Sequence, residues 1–167
     1  NNLLKPIFKT AVFSNVTNSF DFKNVQNNYI QNRFEGQIDT GKMMQALIKK
    51  VQELGIIILN NSTVETYTEL SNKVAIKTNH FEFSSSKLIL TTNGFAQHFI
   101  DEDVQPARAQ VLITKPIKGL HIKGTFHLDR GYYYFRNIDN RILLGGGRNL
   151  DFKTENTTEF SQTHRIQ

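Results

Sequence analysis

The run Tyr132–Tyr133–Tyr134–Phe135–Arg136 has residue types suited to holding a small molecule. Side chains alternate between the two faces of a β-strand, so Tyr133 and Phe135 share one face, and Arg136 lies on the other with the remaining tyrosines. One face would pack on the protein, and the other would present an aromatic wall with a polar edge. Such a wall suits a planar cofactor, an amine or a carboxylate. A purely structural aromatic ladder is the alternative interpretation.

Two turns are further candidates for binding. Gly145–Gly146–Gly147 follows an apolar run and begins like a dinucleotide-binding fingerprint, but Leu150 occupies the third glycine position. This segment predicts a flexible turn or a close approach of backbone to a ligand. Leu88–Ile89–Leu90 leads into the polar turn Thr91–Thr92–Asn93–Gly94. Ligands of α/β proteins bind beyond the carboxyl ends of such strands, with a plain strand-to-loop turn as the alternative.

Several kinds of site are excluded by what the sequence lacks. It has no cysteine, which excludes disulfides, iron–sulfur clusters and thiolate zinc sites. The five histidines lack metal-ligand spacing, and neither a Gly-Lys-Ser/Thr phosphate loop nor a Gly-x-Ser-x-Gly nucleophile turn occurs. The formal net charge is +5, but scattered basic residues indicate a solvated surface. We therefore predict no metal site, no nucleic-acid partner and no transmembrane segment.

One long helix and many strands must position these candidates. Apolar residues recur at three- and four-residue spacing up to Leu54, between an N-cap at Thr40 and Gly55, which predicts a helix over 41–54 with a buried stripe. Strand patterns follow at 56–59, 63–70, 74–78, 81–83, 87–92, 109–114, 125–128, 131–136 and 141–145.

The remaining segments carry weaker patterns. Leu88–Leu90 is apolar throughout, so it is expected to be buried on both sides, as in a parallel layer. Residues 1–33 are predicted to be partly helical or irregular, and a helix is predicted to start near Thr157.

Five segments in a fixed order carry a resemblance to a known family. They are GQIDTGKMM at 36–44, GIIILNNSTV at 55–64, KLILTTNGFA at 87–96, PARAQVLITKP at 106–116 and GYYYFRNIDNRILLGGGRNLD at 131–151. Over residues 34–151 the chain resembles the FAD-dependent oxidoreductases of the D-amino-acid oxidase superfamily, which include glycine oxidase and sarcosine oxidase. The closing segment looks most like the γ-glutamylputrescine oxidase branch.

The resemblance implies an α+β fold, in which a large antiparallel or mixed β-sheet forms the substrate domain beside one long helix and part of the FAD-binding layer. The implied division is an irregular or helical lead-in at 1–33, partial FAD-binding elements at 34–95, the substrate-domain sheet at 96–151 and a polar tail or helix start at 152–167. The family's opening Gly-x-Gly-x-x-Gly is missing from this sequence. We therefore expect the middle of such an enzyme, which would not retain FAD by itself.

The resemblance also implies which residues meet the FAD. Val64 matches a position whose backbone contacts the adenine. Thr91, Thr92, Asn93 and Gly94 match the family's Ala-Thr-Gly turn near the FAD, although the sequence here departs to Thr-Asn-Gly. The other cofactor-binding candidates are the turn glycines Gly145 and Gly146.

The implied substrate residues lie on the tyrosine run. Tyr133 matches the substrate-facing tyrosine of amino-acid-oxidising members, and it is predicted to bind the substrate together with Phe135 and Arg136. The arginine would pair with a carboxylate, although many relatives have proline at its position. Arg108–Ala109–Gln110 matches an Arg-Gly-Gln that begins a substrate-domain strand, with alanine as a departure.

The implied activity is oxidation of a small-molecule amine or amino acid by transfer of a hydride to flavin N5, after which the imine hydrolyses. No catalytic base is assignable, and a cytoplasmic location is expected. The alternatives are a stand-alone β-rich module that binds a ligand or partner without catalysis, and a nucleic-acid binder with stacked aromatics. The apolar run that ends at Asn93–Gly94 favours the oxidoreductase.

Overall fold

The chain has the mixed α and β structure that the sequence predicts. A computed structural model describes residues 2–166, so Asn1 and Gln167, the last residue of the predicted polar tail, lie outside the described residues. Within this range the helices and strands are α1 (Lys5–Phe8), β1 (Phe13–Thr17), β2 (Asn28–Asn32), α2 (Thr40–Glu53), β3 (Val64–Glu69), β4 (Val74–Thr78), β5 (Glu82–Ser85), β6 (Val111–Ile113), β7 (Thr125–Leu128), β8 (Tyr133–Ile138) and β9 (Arg141–Gly146). Short 3₁₀ turns lie at Asn93–His98, Asp129–Gly131 and Arg148–Leu150.

The strands pair antiparallel in sheets with the orders β1-β2, β3-β4-β5 and β6-β9-β8-β7. The chain divides into two compact units. One, the hairpin unit, comprises the described residues of Asn1–Thr40 with Gln110–Asn149, and it contains β1–β2 and the four-stranded sheet. The other, the helix unit, comprises Gly41–Ala109 with the described residues of Leu150–Gln167, and it contains most of α2 and the three-stranded sheet.

An aromatic cluster stabilises the hairpin unit. The pairing of β7 with β8 places Phe126 opposite Phe135, and their rings stack with centroids 4.7 Å apart and planes at 7°. Phe22 packs edge-to-face on both rings, and Phe20 packs edge-on against Phe126. Aromatic pairs in these orientations are favourable beyond the area they bury. The cluster therefore fixes the loop between β1 and β2 against the four-stranded sheet.

In the helix unit, β4 is the central strand of its sheet. Its Ile76 and Thr78 are buried. The Thr78 hydroxyl donates to the carbonyl of Phe81 (2.7 Å) and accepts from its N–H (3.0 Å), which closes the turn into β5. The Tyr67 hydroxyl of β3 donates to the carbonyl of Phe99 (3.0 Å), so the sheet is tied to the segment after the Asn93–His98 turn.

The helix α2 confirms the predicted helix to within one residue at each end. Gly55 follows it at φ +72°, and the N–H of Ile56 bonds back to the carbonyl of Val51 (3.2 Å), an ending that glycine favours. The predicted burial of its apolar stripe is wrong for this structure, because Met44 and Leu47 are about half exposed. The described residues leave this stripe uncovered.

Two predicted strands are also wrong. Residues 56–59 and 87–92 are irregular, and Ile89, which the sequence predicts to be buried on both sides, is 81% exposed. A strand needs a neighbour that completes its backbone hydrogen bonds, and no strand of the described residues pairs with either segment. The predicted parallel layer is therefore not formed within residues 2–166.

The two ends of the chain add further differences. Residues 1–33 contain the short helix α1, as a partly helical segment would, but also the hairpin β1–β2, which the sequence analysis does not predict. The helix predicted near Thr157 is wrong, since the chain forms only turns there. The Thr157 hydroxyl accepts from the N–H of Glu159 (3.1 Å), a local bond that competes with helix formation.

Candidate functional site

The predicted site residues are distributed over both units. The helix unit contains the proposed FAD contacts in the first half of the chain, and the hairpin unit contains the tyrosine strand and the turn glycines. The first group is Val64, Thr91, Thr92, Asn93 and Gly94, and the second is Tyr133, Phe135, Arg136, Gly145 and Gly146.

The turn at 91–94 has three features of a ligand-binding turn. The Thr92 hydroxyl oxygen is buried and has no hydrogen-bond partner in the described part of the chain. Asn93 adopts a left-handed conformation (φ 52°), and the N–H of Phe95 closes the turn on the carbonyl of Thr92 (3.0 Å). A Cβ on Gly94 would lie 3.3 Å from Cβ of Pro106, so glycine allows the turn to pack closely on the segment 104–109.

A cavity of about 450 Å³ lies beside this turn, entirely within the helix unit. Its walls come from three segments, at 93–95, 104–109 and 157–160. It brings together Asn93 and Gly94 of the predicted FAD turn with Arg108, which the sequence analysis matches to a family motif. It does not include Val64.

Arg108 forms a bidentate ion pair with Glu155 that is not predicted from the sequence. Its Nε donates to Oε2 of Glu155 (3.0 Å) and its Nη2 to Oε1 (2.9 Å), while the side chains are 11% and 1% exposed. The hydrogen bond that Arg108 donates to Glu155 raises the pKa of Arg108 above its ordinary value, which keeps the guanidinium charged. Glu155 lies in a stretch that reads as a polar tail, so no periodicity or motif indicates that it is buried.

Val64 lies at the start of β3, opposite Thr78, where the register with β4 shifts before Thr66. The N–H of the preceding residue, Thr63, is bonded to Oδ1 of Asn79 (3.0 Å). The predicted adenine contact is thus on the edge strand of the three-stranded sheet, half-buried.

The tyrosine strand is β8, and its register defines its neighbours. Tyr133 lies opposite Gly146, and Tyr134 opposite Gly145. A Cβ on Gly145 would overlap the Tyr134 ring, so that ring lies directly on the glycine backbone. Tyr132, the first residue of the run, precedes the strand. Gly145 and Gly146 both belong to β9, so the predicted flexible turn is wrong for these two glycines. They lie next to the predicted substrate tyrosine in one sheet.

Phe135 and Arg136 have partners within the hairpin unit. Phe135 is part of the aromatic cluster, stacked on Phe126 and touched by Phe22. Arg136 donates from Nη1 to the carbonyl of Ile38. Both side chains are half-buried, as is Tyr133.

A second cavity, of about 500 Å³, lies in the hairpin unit between the β1–β2 hairpin and β7. Phe20, Phe126 and Tyr29 form part of its aromatic lining. The Tyr29 hydroxyl donates to Oδ1 of Asn18, and desolvation, with the charge of Asp21 adding to it, raises the pKa of Tyr29 above 10.0. None of the predicted site residues lines this cavity.

The described residues contain no cluster of three or more histidine, aspartate or glutamate side chains arranged to hold a metal ion. Among the same residues, no helix has the length and apolar character needed to cross a bilayer.

Comparison of the sequence with known proteins identifies a family. Residues 27–166 match the FAD dependent oxidoreductase family (DAO). This chain belongs to that family.

A curated member of similar sequence is the bifunctional protein ThiO/ThiG of Synechocystis sp., which is 25% identical over 136 residues. That match covers 77% of this chain and 20% of the relative, so the chain spans about a fifth of its length. No solved structure matches significantly. The D-amino-acid oxidase resemblance of the sequence is confirmed at the level of the family, and the γ-glutamylputrescine oxidase branch is not.

FAD is the cofactor of the DAO family, and the turn at 91–94 fits such a group. A buried hydroxyl without a partner at Thr92 can donate to an oxygen or nitrogen of the cofactor. The glycine at 94 keeps the backbone open to close approach.

Proposed function

We propose that this chain is part of an FAD-dependent oxidoreductase that oxidises an amine or amino acid by transfer of a hydride to the flavin. The observation that carries the proposal is the family match over residues 27–166 together with the buried, unpartnered Thr92 hydroxyl at the predicted FAD turn. Bound FAD supplies the electron acceptor for this chemistry. The chain supplies binding, orientation and exclusion of water.

The proposed FAD contacts are the turn 91–94, the backbone at Val64 and the glycines Gly145 and Gly146. The proposed substrate contacts are on β8. Tyr133 would either donate a hydrogen bond to the substrate or pack against it, and Phe135 would contribute apolar surface. Arg136 lies on the opposite face of β8, where guanidinium donors not used by Ile38 would pair with a carboxylate.

The substrate class and the branch are part of this proposal. The run at 131–151, with its three tyrosines and four glycines, supports an amine or amino-acid substrate of the kind that γ-glutamylputrescine oxidase-like enzymes take. We also propose the division into FAD-binding elements at 34–95 and substrate-domain strands at 96–151, and a cytoplasmic location.

The test is the visible spectrum of the full-length protein after purification without added cofactor. We expect a flavin band that bleaches under anaerobic conditions when a secondary amine or an amino acid is added. A Thr92→Val variant keeps the shape of the side chain and removes the hydroxyl, so it should lose flavin more readily on dialysis. A full-length protein that carries no flavin and takes none up would contradict the proposal. It would favour the stand-alone binding module, whose ligand would be sought in the cavity of the hairpin unit.

A further inference from the structure

We propose that Arg108 and Glu155 are positioning residues for the cavity beside the 91–94 turn. Together they hold the rim at 157–161, of which residues 157–160 line the cavity, against the wall at 104–109. The inference rests on the proposed function only for the identity of the ligand, FAD. The fixing of the rim is a property of this chain alone.

The rim is irregular, so side-chain bonds have to fix it. Two nitrogens of the Arg108 guanidinium hold Glu155, and the third, Nη1, donates to the carbonyl of Glu159 (3.3 Å) and to Oγ of Ser161. The hydroxyl of Thr163 donates to Oε1 of Glu155 (3.1 Å). A planar guanidinium with a fixed fork of donors therefore joins both sides of the cavity.

The backbone reinforces the same link. The N–H of Arg108 donates to the carbonyl of Glu155 (2.8 Å), and the N–H of Glu155 donates to the carbonyl of Asp151 (3.1 Å). Asp151 in turn accepts from the N–H of Thr154 at its carboxylate (3.1 Å). A closed turn at 151–155 thus presents the buried carboxylate to the arginine.

Stability alone is a poor explanation for this pair. The free energy needed to remove both charges from water offsets much of the electrostatic attraction between them. Apolar residues of similar volume therefore often stabilise a fold equally well. The Nη1 of Arg108 also donates to Glu159 and Ser161 of the cavity rim, not to groups in the protein interior. We therefore infer that the Arg108–Glu155 pair serves to fix the shape of the cavity.

The test replaces the pair by apolar residues in the full-length protein, as the double variant Arg108→Met, Glu155→Leu. The control is Glu65→Gln, which breaks the exposed ion pair with Lys77 (3.0 Å). Three readouts are compared in the apoprotein: the midpoint of thermal unfolding, hydrogen exchange of peptides covering 157–161, and FAD affinity from flavin fluorescence. We expect an unfolding midpoint close to wild type and faster exchange confined to the rim. We also expect FAD affinity lowered about tenfold, because a rim that is no longer fixed should lose on the order of one hydrogen bond to the cofactor.

The control should change none of the three readouts, because an exposed pair contributes little. Unchanged exchange at 157–161 in the double variant would overturn the proposal. So would faster exchange with unchanged FAD affinity. If the double variant does not fold, Arg108→Lys replaces it, because lysine keeps the positive charge but lacks the forked guanidinium donors. We then expect the same faster hydrogen exchange at 157–161. If the wild-type protein takes up no FAD, the proposed function fails, and rim exchange alone decides the positioning role.

Discussion

At the scale of single residues, the backbone at Gly146 cannot accommodate a side chain without strain. Its φ is +124°, and a Cβ there would collide with the carbonyl oxygen of Tyr132. We predict that Gly146→Ala destabilises the full-length protein by about 2 kcal/mol or more, the cost of backbone strain and steric overlap. Gly36→Ala is the control, because nothing lies within 4 Å of a Cβ there. Urea unfolding midpoints that are equal for the two variants would contradict this prediction.

Tyr133 tests the proposed substrate side of β8. We predict that Tyr133→Phe lowers kcat/KM for the amine or amino acid about tenfold, as expected for one lost hydrogen bond, while the flavin stays bound. Tyr67→Phe is the matched control, because it also removes one phenol, whose hydroxyl donates to Phe99 (3.0 Å) far from the tyrosine strand in sequence. It should alter thermal stability without altering kcat/KM. Loss of flavin in Tyr133→Phe would mean that this residue serves the cofactor instead.

Residue types alone reveal part of the site. Asn93 and Gly94 are recognisable from the sequence because an Asn–Gly pair after an apolar run marks a turn. In the structure Asn93 adopts the left-handed conformation that such turns use. Glu155 is not recognisable, because its burial depends on Arg108, which lies 47 residues earlier. Long-range pairs of this kind leave no periodicity in the sequence.

At the scale of elements, local signals explain which predictions are confirmed. The signals for α2, its apolar stripe and the glycine that follows it, are local in the sequence. The strands β7, β8 and β9 are separated by short turns, which are also local signals. The segments 56–59 and 87–92 have equally apolar sequences, but no strand pairs with them among the described residues. Apolar composition alone is therefore not enough to predict a strand, because a strand also requires a hydrogen-bonding neighbour.

The turn at 151–155 gives a prediction on pH. The hydrogen bond from the N–H of Thr154 lowers the pKa of Asp151 below 3.8, so the folded state favours the carboxylate. The stabilisation is therefore present above pH 3.8 and is lost as the pH falls through the lowered value. We predict that the unfolding midpoint of wild type falls more steeply with acid below pH 3.8 than that of Asp151→Asn. Parallel curves for the two proteins would contradict the assignment.

At the scale of the whole molecule, the described residues bury little apolar surface. Val12 and Ile76 are the buried apolar side chains of this range, whereas the stripe of α2 and Ile89 are exposed. Exposed apolar surface of this extent indicates an interaction surface. The chain also spans only a fifth of its ThiO/ThiG relative. We therefore propose that other segments of the full-length protein cover this surface.

That proposal predicts opposite outcomes for one substitution in two contexts. Leu47→Glu places a charge on the α2 stripe, where Leu47 is 50% exposed in this chain. In the full-length protein, where we expect the stripe to be covered, the change should lower the free energy of unfolding by about 3 kcal/mol, the cost of burying an unpaired charge in place of an apolar side chain. In the isolated 167-residue chain it should change stability little, and the chain should retain no FAD. Lys49→Glu, on the exposed side of the helix, is the control and should be tolerated in both. If Leu47→Glu is tolerated equally in the full-length protein, the stripe faces solvent there as well, and this chain does not belong to a larger packed FAD-binding layer.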